Sequence, residues 1–119
     1  MSGARSYYAG LAAEGQVANL YERAGHRIAA HRWRGRYGGE IDLIARDGDT
    51  VIFVEVKQAK THAWAAERLS QRQMQRICLS AEEFIAREFG ASNINVRFDL
   101  ALVDEMGRIE ILENAYHGN

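Results

Sequence analysis

The chain has few of the residue types that build covalent or metal cross-links. Cys78 is its single cysteine, which excludes an internal disulfide. No run approaches the ~20 apolar residues of a membrane span, and the first residues lack the apolar core of a signal peptide. A reducing, cytoplasmic setting without membrane contact is therefore expected. Zinc-ligand spacing is also missing among the four histidines, His26, His31, His62 and His117.

Lysine is scarce as well, since only Lys57 and Lys60 among the 15 basic residues are lysines. The net charge of -1 argues against a generic nucleic-acid coat protein. It does not argue against a nuclease, whose clustered acids a metal ion would neutralise. A length of 119 residues, 47% of them hydrophobic and 26% charged, predicts one globular domain over residues 1–119.

Residues 38–57 hold the most informative pattern, two predicted strands joined by a tight turn at Asp47-Gly48-Asp49. If Gly48 and Asp49 form a two-residue loop, position 42 faces position 55 and position 40 faces position 57. Residues opposite each other share a face of the sheet, and so do residues two apart on one strand. One face then carries four charged groups, Glu40, Asp42, Glu55 and Lys57. The other face carries Ile41, Leu43, Val54 and Val56.

Acidic groups opposed in this way require a counter-charge. Two carboxylates ~5 Å apart repel by ~3 kcal/mol at an effective dielectric constant of ~20. Hard oxygen ligands of this kind suit Mg²⁺ or Mn²⁺. Lys57 could then steady an attacking water or the charge that develops on a phosphate. The alternative is a half-exposed hairpin with cross-strand ion pairs, for example between Glu40 and Lys57.

Asp42, followed after a hydrophobic hairpin by Glu55-x-Lys57, resembles the PD-(D/E)xK nuclease signature. The longer segments Gly39-Glu40-Ile41-Asp42-Leu43-Ile44 and Phe53-Val54-Glu55-Val56-Lys57 resemble the YraN-like family more closely. That family comprises small bacterial predicted endonucleases similar to archaeal Holliday-junction resolvases. The resemblance implies a restriction-endonuclease-like core and Mg²⁺- or Mn²⁺-dependent hydrolysis of DNA. It also implies branched or structured DNA as the substrate and a homodimer with two sites.

A helix is predicted from about Arg5 to Ala24, where Tyr8, Leu11, Val17, Ala18 and Tyr21 form an approximate apolar stripe. Glu14 lies on or beside this stripe, where a carboxylate needs a partner. The resemblance, through Ala13-Glu14, implies that Glu14 joins the metal site. Asp42 and Glu55 would then bind the metal, with Glu14 or Glu40 completing its ligands. The alternative is an ion pair between Glu14 and an arginine.

Basic residues that could contact DNA occur in two segments. The predicted strand His26–Trp33 and the loop that follows alternate arginines with Trp33 and Tyr37, which favours phosphate contacts and base stacking. A second set lies on the first turns of a helix predicted from Ser70 to Gly90. The candidate DNA contacts are Arg32, Arg34, Arg36, Lys60, Arg72, Gln75 and Arg76. The alternatives are a solvated edge strand and a solvated helix face.

Two positions depart from the family pattern. Ala59 stands where the family usually has an arginine, with Lys60 as the candidate substitute, and Gln73 stands where it tends to have a lysine. These departures support a second hypothesis, a nucleic-acid-binding module with weak or lost catalysis on a nuclease scaffold. A third is a protein-interaction domain without nucleic acid. Residues 58–69 are predicted to form a mobile loop that DNA could order.

Two further strands are predicted at Ile94–Val103, which alternates strictly, and at Arg108–Leu112. The predicted order is αβββαββ, a mixed central sheet flanked by helices in the α/β class.

Overall fold

The computed structural model of the chain describes residues 3–90 and 93–116, with side chains from residue 7 onward. No helix in those ranges is long and apolar enough to cross a membrane. The helices are α1 (Gly3–Arg23), α2 (His62–Glu67) and α3 (Gln71–Phe89). The strands are β1 (Arg27–Arg34), β2 (Glu40–Asp47), β3 (Thr50–Gln58), β4 (Asn95–Val103) and β5 (Ile109–Leu112).

The five strands form one sheet in the order β1-β2-β3-β4-β5. All neighbours are antiparallel except β3 and β4, which are parallel and are connected through α2 and α3. A parallel pair needs such a crossover, because the chain must return to the same end of the sheet. The predicted mixed sheet flanked by helices is confirmed, and the observed order αβββααββ adds one short helix.

The β2–β3 hairpin has the predicted register. Asp47 pairs with Thr50, and the ladder continues to Leu43 opposite Val54. Gly48 has φ +58°, a left-handed conformation that glycine adopts at low cost in a two-residue turn. The even loop thus places residues 42 and 55 opposite each other at the next step of the register.

Both faces of the sheet are covered by helices. On one face α1 packs Val17 and Tyr21 against a cluster that includes Leu43 and Val54. On the other face α3 packs Met74, Ile77, Ala81 and Phe84 against Ile44, Val51 and Phe53. Full burial of each of the larger apolar side chains, such as Val17 or Ile77, contributes roughly 1.5–3 kcal/mol to folding. The helix predicted from Ser70 to Gly90 is therefore confirmed as α3.

Three predictions were wrong. Tyr8 is 67% exposed, because the buried side chains of α1 begin at Ala13. Ile41 packs with the α3 cluster and not with Leu43, because its β1 partner Trp33 lies on that side after the left-handed Arg32 (φ 51°) breaks the alternation of β1. The segment predicted as a mobile loop contains α2, whose first turn is capped by the Thr61 side chain accepting the Trp64 N–H.

Asp99 on β4 has a structural role. Its buried carboxylate accepts hydrogen bonds from the Tyr21 hydroxyl at 2.6 Å and from the Asn114 N–H at 3.0 Å. It also accepts two from the Arg97 guanidinium, each at 2.9 Å. A buried carboxylate satisfied in this way ties α1, β4 and the C-terminal segment together and has no lone pair directed at solvent.

Candidate active site

A cleft of about 460 Å³ opens where β2 and β3 separate and the first turns of α3 approach them. It contains three acids, Glu40, Asp42 and Glu55, and four bases, Arg34, Lys57, Arg72 and Arg76. Gly39, Val56, Ser70, Gln73 and Ile77 complete the lining. Three of the predicted acids, Glu40, Asp42 and Glu55, therefore converge with Lys57 on one solvent-facing cavity, and the fourth, Glu14, is not part of its lining.

Asp42 and Glu55 form the centre of the cleft. The backbone ladder ends at Leu43 opposite Val54, and beyond it the Val56 N–H donates to Asp42 Oδ2 at 2.7 Å. The Asp42 side chain thus takes the place of a strand partner and is held in one orientation. Glu55 Oε2 accepts from Gln73 Nε2 at 3.1 Å and lies 3.7 Å from Lys57 Nζ.

The second carboxylate oxygen of Glu55, Oε1, lacks the contacts that Oε2 makes. Glu55 is only 5% exposed, and its Oε1 accepts no hydrogen bond from a backbone, amide or hydroxyl group among the described residues, so only a proton shared with Asp42 or a cation can satisfy it. A buried carboxylate oxygen without a partner costs free energy, on the order of 1–3 kcal/mol or more. Asp99, equally buried, has its oxygens satisfied. The burial of Glu55 therefore lowers the stability of the fold, which indicates a functional role for this residue.

The two carboxyl groups shift each other's titration. Burial, and after it the negative charge of Asp42, raises the pKa of Glu55 to about 9, against the opposing effect of Lys57. Burial also raises the pKa of Asp42, although the Val56 N–H and Lys57 oppose the shift. Burial and mutual repulsion therefore favour the retention of a proton by the pair, against the opposing charge of the Lys57 ammonium.

A second group of acids lies beside this pair. Arg32 Nε contacts Glu40 Oε1 at 3.2 Å and lies 3.8 Å from Glu14 Oε1. Burial first, and then the charge of Asp42, raises the pKa of Glu14, which places Glu14 within electrostatic range of the cleft. Glu14 is thus both paired with an arginine and close to Asp42. Glu40 and Lys57 pair with other partners rather than with each other.

The predicted DNA contacts fall into two groups. Arg34, Arg72 and Arg76 are exposed and line the cleft. Ser70 also lines it and caps α3 by accepting the Gln73 N–H at 3.0 Å, so the positive end of the α3 dipole faces the cavity. Four other candidates lie outside the lining: Arg32, Arg36, Lys60 and Gln75.

Those four have different surroundings. Arg32 is engaged by the acids described above, and Gln75 lines a separate apolar groove along α3 with Cys78 and Leu79. Arg36 is exposed, and its backbone N–H donates to Glu83 Oε1 at 2.8 Å. Lys60 is exposed after the end of β3.

Sequence reasoning missed how the loop before β2 docks on α3. Gly39 N–H donates to the Arg76 carbonyl at 2.9 Å, and the Ser80 hydroxyl donates to the Gly39 carbonyl. A Cβ added at Gly38 would lie 2.5 Å from the Ser80 nitrogen and 2.6 Å from the Arg76 carbonyl oxygen. The Gly38-Gly39 pair signals a close approach, but nothing in the sequence identifies α3 as the partner.

The two departures from the family pattern have different consequences. Gln73 enters the cleft and hydrogen-bonds Glu55, so it is a site residue that the sequence marked only as an exception. Ala59 packs instead with the apolar cluster of Ala65, Leu100 and Leu102. Ala59 is not part of the cleft lining.

The residues of the cleft fit a divalent cation. Its acids offer hard oxygen ligands, and the orphaned Glu55 Oε1 is a buried acceptor that a cation would satisfy. Within residues 3–90 and 93–116, no three or more His, Cys, Asp or Glu side chains are grouped to enclose a metal ion. A cation that keeps several of its waters, as Mg²⁺ does, suits two central carboxylates better than one needing a full protein cage.

Comparison with known proteins gives a consistent family assignment. The model of a family described as "Uncharacterised protein family UPF0102" matches residues 13–103, a range that includes the whole cleft. A UPF0102 protein of Cereibacter sphaeroides strain ATCC 17025 is 60% identical over 116 residues, which is 98% of each chain. One from strain ATCC 17029 is 59% identical with the same coverage. A UPF0102 protein of Ruegeria pomeroyi is 55% identical over 98% of this chain and 94% of its own.

Proposed function

The chain belongs to the uncharacterised protein family UPF0102, and we propose that it is a metal-dependent endonuclease that hydrolyses DNA phosphodiester bonds. The family membership expected from the sequence is confirmed, since both the family model and the relatives are UPF0102. The observation that carries the proposal is the Asp42–Glu55 pair, buried under an open cleft with one carboxylate oxygen unsatisfied.

The layout of charge in the cleft supports a phosphodiester as the substrate. Glu55 is buried and Asp42 half-buried, whereas Arg34, Arg72 and Arg76 are exposed around them. Exposed guanidinium groups can neutralise the phosphates of a strand that lies across the opening. The acids beneath would repel that strand unless a cation lay between them and the scissile phosphate.

Asp42 and Glu55 would hold the cation, whereas Glu14 and Glu40, the further candidate ligands, are paired with Arg32. A divalent cation bound there would neutralise the paired acids and supply Lewis-acid stabilisation of the charge on the phosphate. The Val56 N–H fixes the orientation of Asp42, and Gln73 fixes that of Glu55.

Lys57 is the group placed to assist the chemistry directly. Its ammonium lies 3.7 Å from Glu55 Oε2 and lines the same cleft. A compact point charge there can orient the attacking water by hydrogen bonding and can stabilise negative charge on a non-bridging phosphate oxygen. The rim arginines would hold the strand in register, and the positive end of α3 would add to the attraction.

A nicking assay on supercoiled and branched DNA with Mg²⁺ or Mn²⁺ tests the proposal. We expect cleavage by the parent and a loss of roughly a hundredfold or more in Asp42→Asn, Glu55→Gln and Lys57→Met, with DNA binding largely kept. Glu67→Gln, which removes an exposed acid outside the cleft, is the matched control and should cleave as the parent does.

Equal cleavage by the parent and the three cleft variants would identify a contaminating nuclease and end the catalytic claim. Salt-dependent DNA binding without cleavage would favour the second candidate, a binding module on the same scaffold. The preference for branched DNA, the homodimer and the cytoplasmic location stay predictions.

A further inference from the structure

We propose that Arg32 is a positioning residue that limits the cleft to one divalent cation by occupying, with its guanidinium group, the space in which a second cation would bind. The inference rests on the proposed function, because it presumes the first cation at Asp42 and Glu55. It concerns the other side of Asp42, towards α1.

Arg32 stands at the centre of the remaining acids. It lies on β1 between His31, which pairs with Leu43, and Trp33, which pairs with Ile41, so it is the cross-strand neighbour of Asp42. Its Nε is 3.2 Å from Glu40 Oε1 and 3.8 Å from Glu14 Oε1. One guanidinium therefore connects acids from α1 and β2 directly beside the proposed cation site.

The backbone at Arg32 indicates that this placement is enforced. Its φ of 51° lies in the left-handed region, which is unfavourable for a residue with a long side chain. Such a conformation persists only where the surroundings determine it, and it clusters at functional sites. The Tyr7 ring, whose centroid is 5.4 Å from Arg32 Cζ, adds a cation–π contact. The strained backbone at Arg32 thus holds its guanidinium group towards the acids.

Without the guanidinium, the carboxylates of Glu14 and Glu40 would lose their counter-charge and would be free to turn towards a second metal ion. Two-metal phosphodiesterase sites hold their ions about 3.5–4 Å apart, commonly by sharing a carboxylate. Asp42 is placed to be shared, since it faces Glu55 on one side and the Glu14–Arg32–Glu40 group on the other. Arg32 supplies one positive charge to Glu14 and Glu40 where a divalent cation would supply two, and it cannot activate a water or coordinate a phosphate as a metal does.

Counting bound Mn²⁺ tests the inference independently of cleavage. The electron paramagnetic resonance signal of free Mn²⁺, measured during titration, gives the number of ions bound per chain. We expect one for the parent and two for Arg32→Gln. Arg32→Met, which keeps an unbranched stem against Tyr7, should also bind two and serves if the Gln variant does not fold. The double variant Arg32→Gln, Glu14→Gln should return to one.

Two controls separate position from charge. Arg27→Gln removes the same charge from an exposed residue at the other end of β1 and should still bind one ion. Arg32→Lys keeps the charge and should also bind one. One ion in both neutral Arg32 variants, or two in the parent, would overturn the role of Arg32 while leaving the cation site standing. No bound ion in the parent would remove the cation site and the inference together.

Discussion

Glu55 is a residue whose ionisation opposes folding unless a cation is present. An acid with a higher pKa in the folded chain binds more protons when folded than when unfolded, between the two pKa values. In metal-free protein, stability should therefore fall as the pH rises from the ordinary value of 4.5 towards about 9. Below that window the folded and unfolded chains are both protonated, and the penalty vanishes.

Glu55→Gln should remove most of this dependence. In EDTA we expect the variant to be more stable than the parent by roughly 1–3 kcal/mol at pH 9 and nearly equal to it at pH 5. The full shift is not recovered, because Asp42 shares the proton with Glu55. Thermal melts followed by circular dichroism at several pH values would measure the difference.

Glu67→Gln provides the comparison, since it removes an exposed acid and should leave the pH dependence of the parent unchanged. Parallel pH curves for the parent and Glu55→Gln would mean that Glu55 ionises normally, and the argument from its burial would fail. Mn²⁺ should stabilise the parent at pH 8 and do so much less in Glu55→Gln, because binding to the folded state alone raises stability.

For single residues, the sequence predicts which side chains lie close together better than it predicts their hydrogen-bond partners. The parity of the turn is sufficient to bring Asp42 opposite Glu55, because the alternation of a strand is rigid. The hydrogen bond from Gln73 and the left-handed conformation of Arg32 depend on helix and strand packing that no local pattern encodes. Both were missed for that reason.

Among the elements, the contact between the β1–β2 loop and α3 determines the width of the cleft. Gly38→Ala would bring a methyl group against the backbone of α3 at Ser80 and Arg76, neither of which can move without unwinding the helix. We expect a loss of roughly 2–4 kcal/mol, the range of overpacking with backbone shifts. Chemical denaturation at pH 7 would measure it.

Gly15→Ala is a suitable control for that substitution. Gly15 lies within α1, where an added Cβ meets no atom within 4 Å. Alanine there should stabilise the chain by about 1 kcal/mol through helix propensity. If Gly38→Ala were as stable as the parent, the tight docking of the loop on α3 would be refuted.

Element prediction succeeded where a strong local signal coincided with burial. The Ser70 cap, the apolar stripe of α3 and the glycine at its end locate that helix to within a residue. The six-residue α2 escaped because its one cue, Thr61 before a short alanine-rich run, is too brief to outweigh the polar residues around it. Ala65 becomes buried only because Leu100 and Leu102 of β4 provide a surface for it.

For the molecule as a whole, a net charge of -1 means that DNA affinity must come from the local arrangement of charge. Arg34→Gln, Arg72→Gln and Arg76→Gln should each weaken DNA binding and lower the slope of log K against log salt by about 1. Arg87→Gln, on the last turn of α3 and paired with Glu83, should leave the slope unchanged. Fluorescence anisotropy over a range of salt concentrations would measure each slope.

The same measurement tests the role of the acids. In EDTA, Asp42→Asn should bind DNA more tightly than the parent, because it removes repulsion between the carboxylate and the phosphates. Mg²⁺ should reduce this difference in affinity. If neither the arginine substitutions nor Mg²⁺ altered binding, DNA would not enter this cleft.

The parallel pairing of β3 with β4 also sets the order in which the chain can assemble. On β3, Thr50 pairs with Asp47 of β2 across a two-residue turn. Its other partner, Asn95 of β4, follows in the chain only after both α2 and α3. Closing the short loop is far quicker than closing the long one. During refolding we therefore expect the hairpin to form early. Asp42 and Glu55 would then come together while both are still hydrated, and water would weaken their mutual repulsion. We therefore expect the two acids to become buried only when the helices and β4 pack onto a hairpin that has already formed.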